Sequence, residues 1–117
     1  MIVPQRVGGA TLTIQTNFAI PAVLPFAFVR LRSELELAGA DLSDADFRGV
    51  DFSGLNLEHT LFNRSLLSGA RFSDCQLAHA EFVSAVADTA DFGSVDASRL
   101  RATDADFRNG NWTHAQL

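Results

Sequence analysis

From Leu37 onward every fifth residue is apolar, and that one period limits what the chain can become. The series runs Leu37, Leu42, Phe47, Phe52, Leu57, Phe62, Leu67, Phe72, Leu77, Phe82, Ala87, Phe92, Ala97, Ala102, Phe107, Trp112 and Leu117, seventeen positions without a slip. Two residues before each lies a second series, from Leu35 and Ala40 through Cys75 to Ala115, small or apolar throughout. Mostly polar residues fill the position between. A helix repeats its buried face about every 3.6 residues and a strand about every two, so a period of five sustains neither. It suits a coil of short straight edges. Each edge turns two side chains inward, and the polar pair that follows makes a corner.

The corner residues are chiefly Gly, Ser, Asp, Asn, Thr, Arg and His, a set rich in turn formers. Gly39, Gly49, Gly54 and Gly69 suit corners that need positive φ. The chain has ten Phe and one Trp but no Tyr. Rings without hydroxyls suit stacking in a dry interior.

The units Ala40-Asp41-Leu42, Ala45-Asp46-Phe47, Ala80-Glu81-Phe82, Ala90-Asp91-Phe92 and Ala105-Asp106-Phe107 resemble the pentapeptide-repeat family, whose motif is Ala-Asp/Asn-Leu/Phe-x-x. The resemblance covers residues 35–117 and implies an all-β fold, a right-handed quadrilateral β-helix with four pentapeptides per coil and about four coils. Folding the chain on a period of twenty then stacks four inward columns. Leu37, Leu57, Leu77, Ala97 and Leu117 form one; Leu42, Phe62, Phe82 and Ala102 another. The third holds Phe47, Leu67, Ala87 and Phe107. The fourth, Phe52, Phe72, Phe92 and Trp112, is wholly aromatic. Coils about 4.8 Å apart make a rod about 20 Å long.

Residues 1–34 break the register and are expected to form an N-terminal cap. Thr11–Thr16 alternates like a half-buried strand, and Phe26–Arg32 is strand-like. Pro21 and Pro25 oppose a helix. The segment reads either as a cap, such as a hairpin over the first coil, or as an arm exchanged with another copy. At the other end Phe107, Trp112 and Leu117 are expected at an open coil. Either a longer solenoid continues there or two copies meet end to end. The family resemblance, whose members often dimerise through this end, favours a homodimer.

Net charge is −5, and all 14 acids lie between Glu34 and Asp106. An acidic body argues against direct binding of nucleic-acid phosphates. The apolar run Phe18–Val29 is too short to span a bilayer and lacks a convincing signal-peptide cleavage site, so no membrane partner is expected. The single cysteine, Cys75, excludes an intramolecular disulfide and fits a reducing cytoplasm. Its inward slot makes it a buried small hydrophobe. No Gly-rich phosphate loop, metal motif or hydrolase elbow is present. The expectation is therefore no catalytic residue, no cofactor and no metal site. His59 and His79, twenty residues apart, should face each other across neighbouring coils. They supply two donors where a closed metal site takes more, and they read as a solvent-facing coincidence.

The outward position is normally polar, but Leu61, Leu66 and Val86 break that rule. With Val83 across a corner they form a candidate protein-binding patch on the second and third coils; cover by the N-terminal segment is the competing reading. The resemblance implies another role. Family members that protect DNA gyrase and its relatives from quinolones or peptide poisons act as DNA mimics. Asp41, Asp46, Asp51, Asp91, Asp96 and Asp106 would here supply the acidic rows. The short rod, the interrupting Arg48, Arg71, Arg99, Arg101 and Arg108, and the lack of an inserted loop depart from that pattern. The expected function is a non-catalytic interaction or scaffold module with a protein partner, and the gyrase-directed DNA mimic is the alternative.

Overall fold

The computed structural model describes residues 2–7, 10–15 and 37–117. Over residues 37–117 the basic unit is a corner. The Ala40 N–H donates to Leu37 O at 2.8 Å, and the same turn bond recurs from Ala70 to Leu67 at 2.9 Å and from Ala115 to Trp112 at 3.1 Å. The third residue of each turn has positive φ at every step from Gly39 to His114. Four of these residues are glycines, with φ of 70–79°, and twelve are not, with φ of 57–62°. The sequence singled out the four glycines only. The twelve others hold a conformation that L-residues normally avoid.

Coils are joined edge to edge. The Leu42 N–H donates to Leu61 O at 2.7 Å, and the Leu61 N–H returns a bond to Ala40 O at 2.9 Å. Parallel bridges link each outward residue to the one twenty later, giving four ladders: Asp41–Leu61–Glu81–Arg101, Asp46–Leu66–Val86–Asp106, Asp51–Arg71–Asp91–Asn111 and Asn56–Gln76–Asp96–Gln116. Each ladder is one face of a four-sided coil, so residues 37–117 make about four coils at twenty residues each.

The interior follows from this register. Phe52, Phe72 and Phe92 are fully buried and stack in line. Centroids are 4.9 Å apart for Phe52 and Phe72, 5.0 Å for Phe72 and Phe92, and 4.3 Å for Phe92 and Trp112. Phe62 meets Phe52 and Phe72 edge-on, both at 5.5 Å, the geometry that ring quadrupoles favour. The small-residue column contains three polar exceptions, all handled in one way. Thr60 Oγ1 donates to Leu37 O at 3.0 Å, Ser65 Oγ to Leu42 O at 2.7 Å, and Cys75 Sγ to Phe52 O at 3.0 Å. Each reaches back to a turn carbonyl of the coil before it, so no cost of burying an unpaired polar group arises.

Gly110 has a different duty from the corner glycines. A Cβ there would lie 3.1 Å from Trp112 Nε1 and 3.1 Å from Phe107 O. The largest ring in the stack fits because its neighbour has no side chain. On the last described coil Phe107 and Trp112 are only partly buried and Leu117 is 86% exposed.

Near the N-terminus, strand β1 (Ile2–Val7) pairs antiparallel with β2 (Ala10–Gln15), from Ile2 opposite Gln15 to Val7 opposite Ala10. Of the alternation read at Thr11–Thr16, Thr11 to Gln15 fall in β2, and Thr16 lies outside the described residues. The strand-like Phe26–Arg32, the expected boundary at residues 34–35 and Leu35 itself lie outside the described residues.

Two outcomes follow. Phe72→Ala, in the middle of the aromatic stack, should cost about 4 kcal/mol of folding stability by urea denaturation. Thr89→Gly should stabilise by about 1 kcal/mol. Thr89 is the only β-branched residue among the described left-handed corners (φ 59°), and glycine removes that strain at the expense of some chain entropy.

Candidate functional site

An outward residue on a ladder stands beside its neighbours on adjoining coils, so a run of one chemistry becomes a surface. On the Asp46 ladder, Leu66 is bridged to Val86. Both point outward and are more than a third exposed. Leu61 lies on the adjacent Asp41 ladder and Val83 at the corner between the two; both are half-buried. The four thus lie on two adjoining ladders and the corner between them. That corner is pinned by Asn63, whose Oδ1 accepts the Val83 N–H at 2.8 Å while its Nδ2 donates to Glu81 Oε1 at 3.1 Å.

Acids stand at both ends of the Leu66–Val86 pair. Asp46 is clasped by Arg48 through Nε at 2.9 Å and Nη2 at 2.7 Å. Asp106 is clasped by Arg108 through Nε at 3.0 Å and Nη2 at 2.8 Å. The ladder thus reads acid, apolar, apolar, acid, with the charge at each end met by an arginine two residues on. On the neighbouring corner Arg64 grips Asp44 on the coil before it, through Nε at 2.7 Å and Nη2 at 2.9 Å.

The six acids considered as a DNA mimic are divided among all four ladders: Asp41 on one, Asp46 and Asp106 on the next, Asp51 and Asp91 on the third, Asp96 on the fourth. Leu61 and Arg71 interrupt the rows between them. Each acid also has a local task, accepting the backbone N–H two residues later. The donors are Ser43 to Asp41 at 3.1 Å, Arg48 to Asp46 at 3.1 Å, Ser53 to Asp51 at 2.9 Å, Gly93 to Asp91 at 2.9 Å, Ser98 to Asp96 at 3.1 Å and Arg108 to Asp106 at 3.0 Å. Asn56 and Asn111 do the same. These are Asx turns, and they explain why Asp or Asn precedes Leu or Phe in the repeat. The signal lay in the sequence, as Asp or Asn at a fixed offset before eight of the described corners, but its purpose was not read from it.

Such partners stabilise the ionised carboxylate. Side-chain bonds from Arg64, Arg48 and Arg108 hold Asp44, Asp46 and Asp106 below the usual carboxylate range, the Gly93 N–H does so for Asp91, and the Ser98 hydroxyl for Asp96. Cys75 shifts the other way. Burial pushes its thiol up to about 12, which leaves it protonated and unreactive at neutral pH. Among the described residues no group of three or more His, Cys, Asp and Glu is placed to hold a metal ion, and no helix is long and apolar enough to cross a membrane.

A carboxylate with a depressed folded-state pKa contributes stability that is present above its unfolded pKa and lost as pH falls through the folded one. All five shifted acids have that sign. Thermal stability should therefore be level above about pH 5 and decline below about pH 4. Asp46→Asn should flatten part of the decline, measured by melting curves from pH 7 down to the acid limit.

Three comparisons place this architecture among known proteins. No curated protein matches the chain in sequence. The chain is similar in structure to HetL, a pentapeptide repeat protein involved in heterocyst differentiation regulation in the cyanobacterium Nostoc sp. strain PCC 7120, with a TM-score of 0.66 and 24% identity over 68% of this chain and 37% of that one. It is also similar to trypsin-treated QnrB1, a plasmid-mediated fluoroquinolone resistance protein, with a TM-score of 0.51 and 30% identity over 64% of this chain and 41% of that one. The chain thus spans about two fifths of the length of these solved proteins. The fold they share with it is a right-handed quadrilateral β-helix. The family model for pentapeptide repeats matches residues 33–69 and 56–93, more than half of the chain, and with the unbroken corners and the twenty-residue ladders it establishes that this chain belongs to the pentapeptide-repeat family.

Proposed function

We propose that the solenoid is a non-catalytic interaction module that docks a protein partner on the edge formed by Leu61, Leu66, Val83 and Val86. The observation that carries this reading is the bridged, outward-facing pair Leu66 and Val86, 39% and 36% exposed, on a ladder whose remaining outward residues are the clasped acids Asp46 and Asp106. A rigid β-face of this kind needs little ordering on binding, which lowers the entropic cost of association. The half-covered coil bearing Phe107, Trp112 and Leu117 is a second candidate surface, for self-association. A reducing compartment such as the cytoplasm suits the free, buried thiol of Cys75.

The second reading is a DNA mimic acting on gyrase. Likeness to a fluoroquinolone resistance protein supports it. The scatter of the acids over four faces and their use in corner hydrogen bonds place it behind the docking module.

Leu66→Asp and Val86→Asp separate the two. Each introduces charge at an exposed site, so circular dichroism and melting temperature should stay close to the parent. Each should weaken recovery of a crosslinked cellular partner by about tenfold or more, the effect of a charge in an apolar contact. Unchanged recovery by both variants would overturn the docking edge. In parallel, gyrase supercoiling is followed over a titration of the protein, with and without a quinolone. No inhibition and no drug protection is the expected result, and either effect would shift the assignment to the acidic ladders.

A further inference from the structure

The corner between the Asn56 and Asp41 faces presents one column of left-handed residues, Gly39, His59, His79 and Arg99. The imidazoles of His59 and His79 stack, with centroids 4.7 Å apart and ring planes 5° from parallel. Both residues are exposed. Their backbones are held by the coil register: the His59 N–H donates to Ala78 O at 3.0 Å and the His79 N–H to Ser98 O at 2.9 Å. Two nitrogen-ligand side chains are thus mounted side by side on a stiff frame, with open solvent beyond them.

We propose that His59 and His79 form a two-point binding site for a late first-row divalent cation, Cu(II) in preference to Ni(II) or Zn(II), with water completing the coordination. Imidazole suits all three ions, and Cu(II) stands highest in the affinity order for such donors. The sequence-based expectation of no metal site rested on the ligand count of a closed site. An open site asks less of the protein, because solvent fills the remaining positions. Metal–nitrogen bonds of about 2.0–2.1 Å put two nitrogens on one ion within about 4 Å of each other. The stack aims the two in-plane lone pairs side by side rather than at one point, so the rings must swing out of parallel to converge on an ion, and their exposure leaves them free to do so. Because the coil register fixes both backbones, the second imidazole acts at high effective concentration once the first has bound.

The surrounding charge is mixed. Arg99 occupies the next place in the column and opposes a cation, while Glu58, immediately before His59, favours one. His114 sits alone at a different corner and serves as an internal reference.

The test titrates copper(II) chloride into the full chain at neutral pH, read by calorimetry and by electron paramagnetic resonance. The parent should bind one high-affinity Cu(II) per chain with hyperfine coupling from two imidazole nitrogens. His59→Asn and His79→Asn should each weaken that site about tenfold or more and reduce the coupling to one nitrogen. His114→Asn should leave it unchanged, and Arg99→Gln should strengthen it severalfold. Asparagine tolerates the left-handed corner, and melting curves check that each variant is folded. A one-nitrogen spectrum in the parent would overturn the site without recourse to any variant. So would parent-like affinity in both His59→Asn and His79→Asn.

Discussion

A chain that turns a corner every five residues must set one residue in each corner at positive φ, and the rest of this molecule is an answer to that demand. Twelve of the sixteen described corners make the turn without glycine, which costs on the order of 1 kcal/mol apiece. At six of the twelve the cost is met locally by Asx turns from a preceding Asp or Asn, and between coils it is met by backbone bonds and rings. The acid in the repeat motif is therefore a corner device before it is a surface charge.

This ordering bears on function. An acid that accepts its own backbone N–H, and in several cases an arginine as well, has spent much of its bonding capacity within the chain. Asp46 and Asp106 are the fullest cases. The outward apolar residues have no such duty. Leu66 and Val86 are tolerated on a stiff face that exposes them side by side, and it is that unspent surface which the functional reading uses.

Much of this was present in the sequence, because a strict period converts directly into geometry. The stack of Phe52, Phe72, Phe92 and Trp112, the burial of Cys75 and the meeting of His59 with His79 all follow from counting in twenties. What escaped depends on individual atoms. Nothing in the period says that Asp44, Arg64 or Thr89 will accept a left-handed backbone, since only the closed coil compels it. The step from Thr60, Ser65 and Cys75 back to a turn carbonyl is invisible until the coils are stacked. The partnership of Gly110 with Trp112 requires knowing that the indole overhangs the neighbouring slot. Strand β2 showed in its alternation, whereas β1, interrupted by Pro4, has no comparable pattern and is defined by its pairing.

The twenty-residue ladder also makes the length of such a protein a quantised variable. Gain or loss of one whole coil returns every later residue to its own column. A single-residue insertion throws all downstream phenyl rings out of the interior. Insertion of one pentapeptide is the subtle case: the pattern of inside and outside survives, yet everything beyond is rotated by a quarter turn. Placed between Leu66 and Val86, it would move Val86 to the adjacent face and split the apolar edge while leaving a sound solenoid. Surfaces on this scaffold can therefore be reshuffled by whole-repeat indels without passing through an unfolded intermediate sequence, a route to new interfaces that few folds allow.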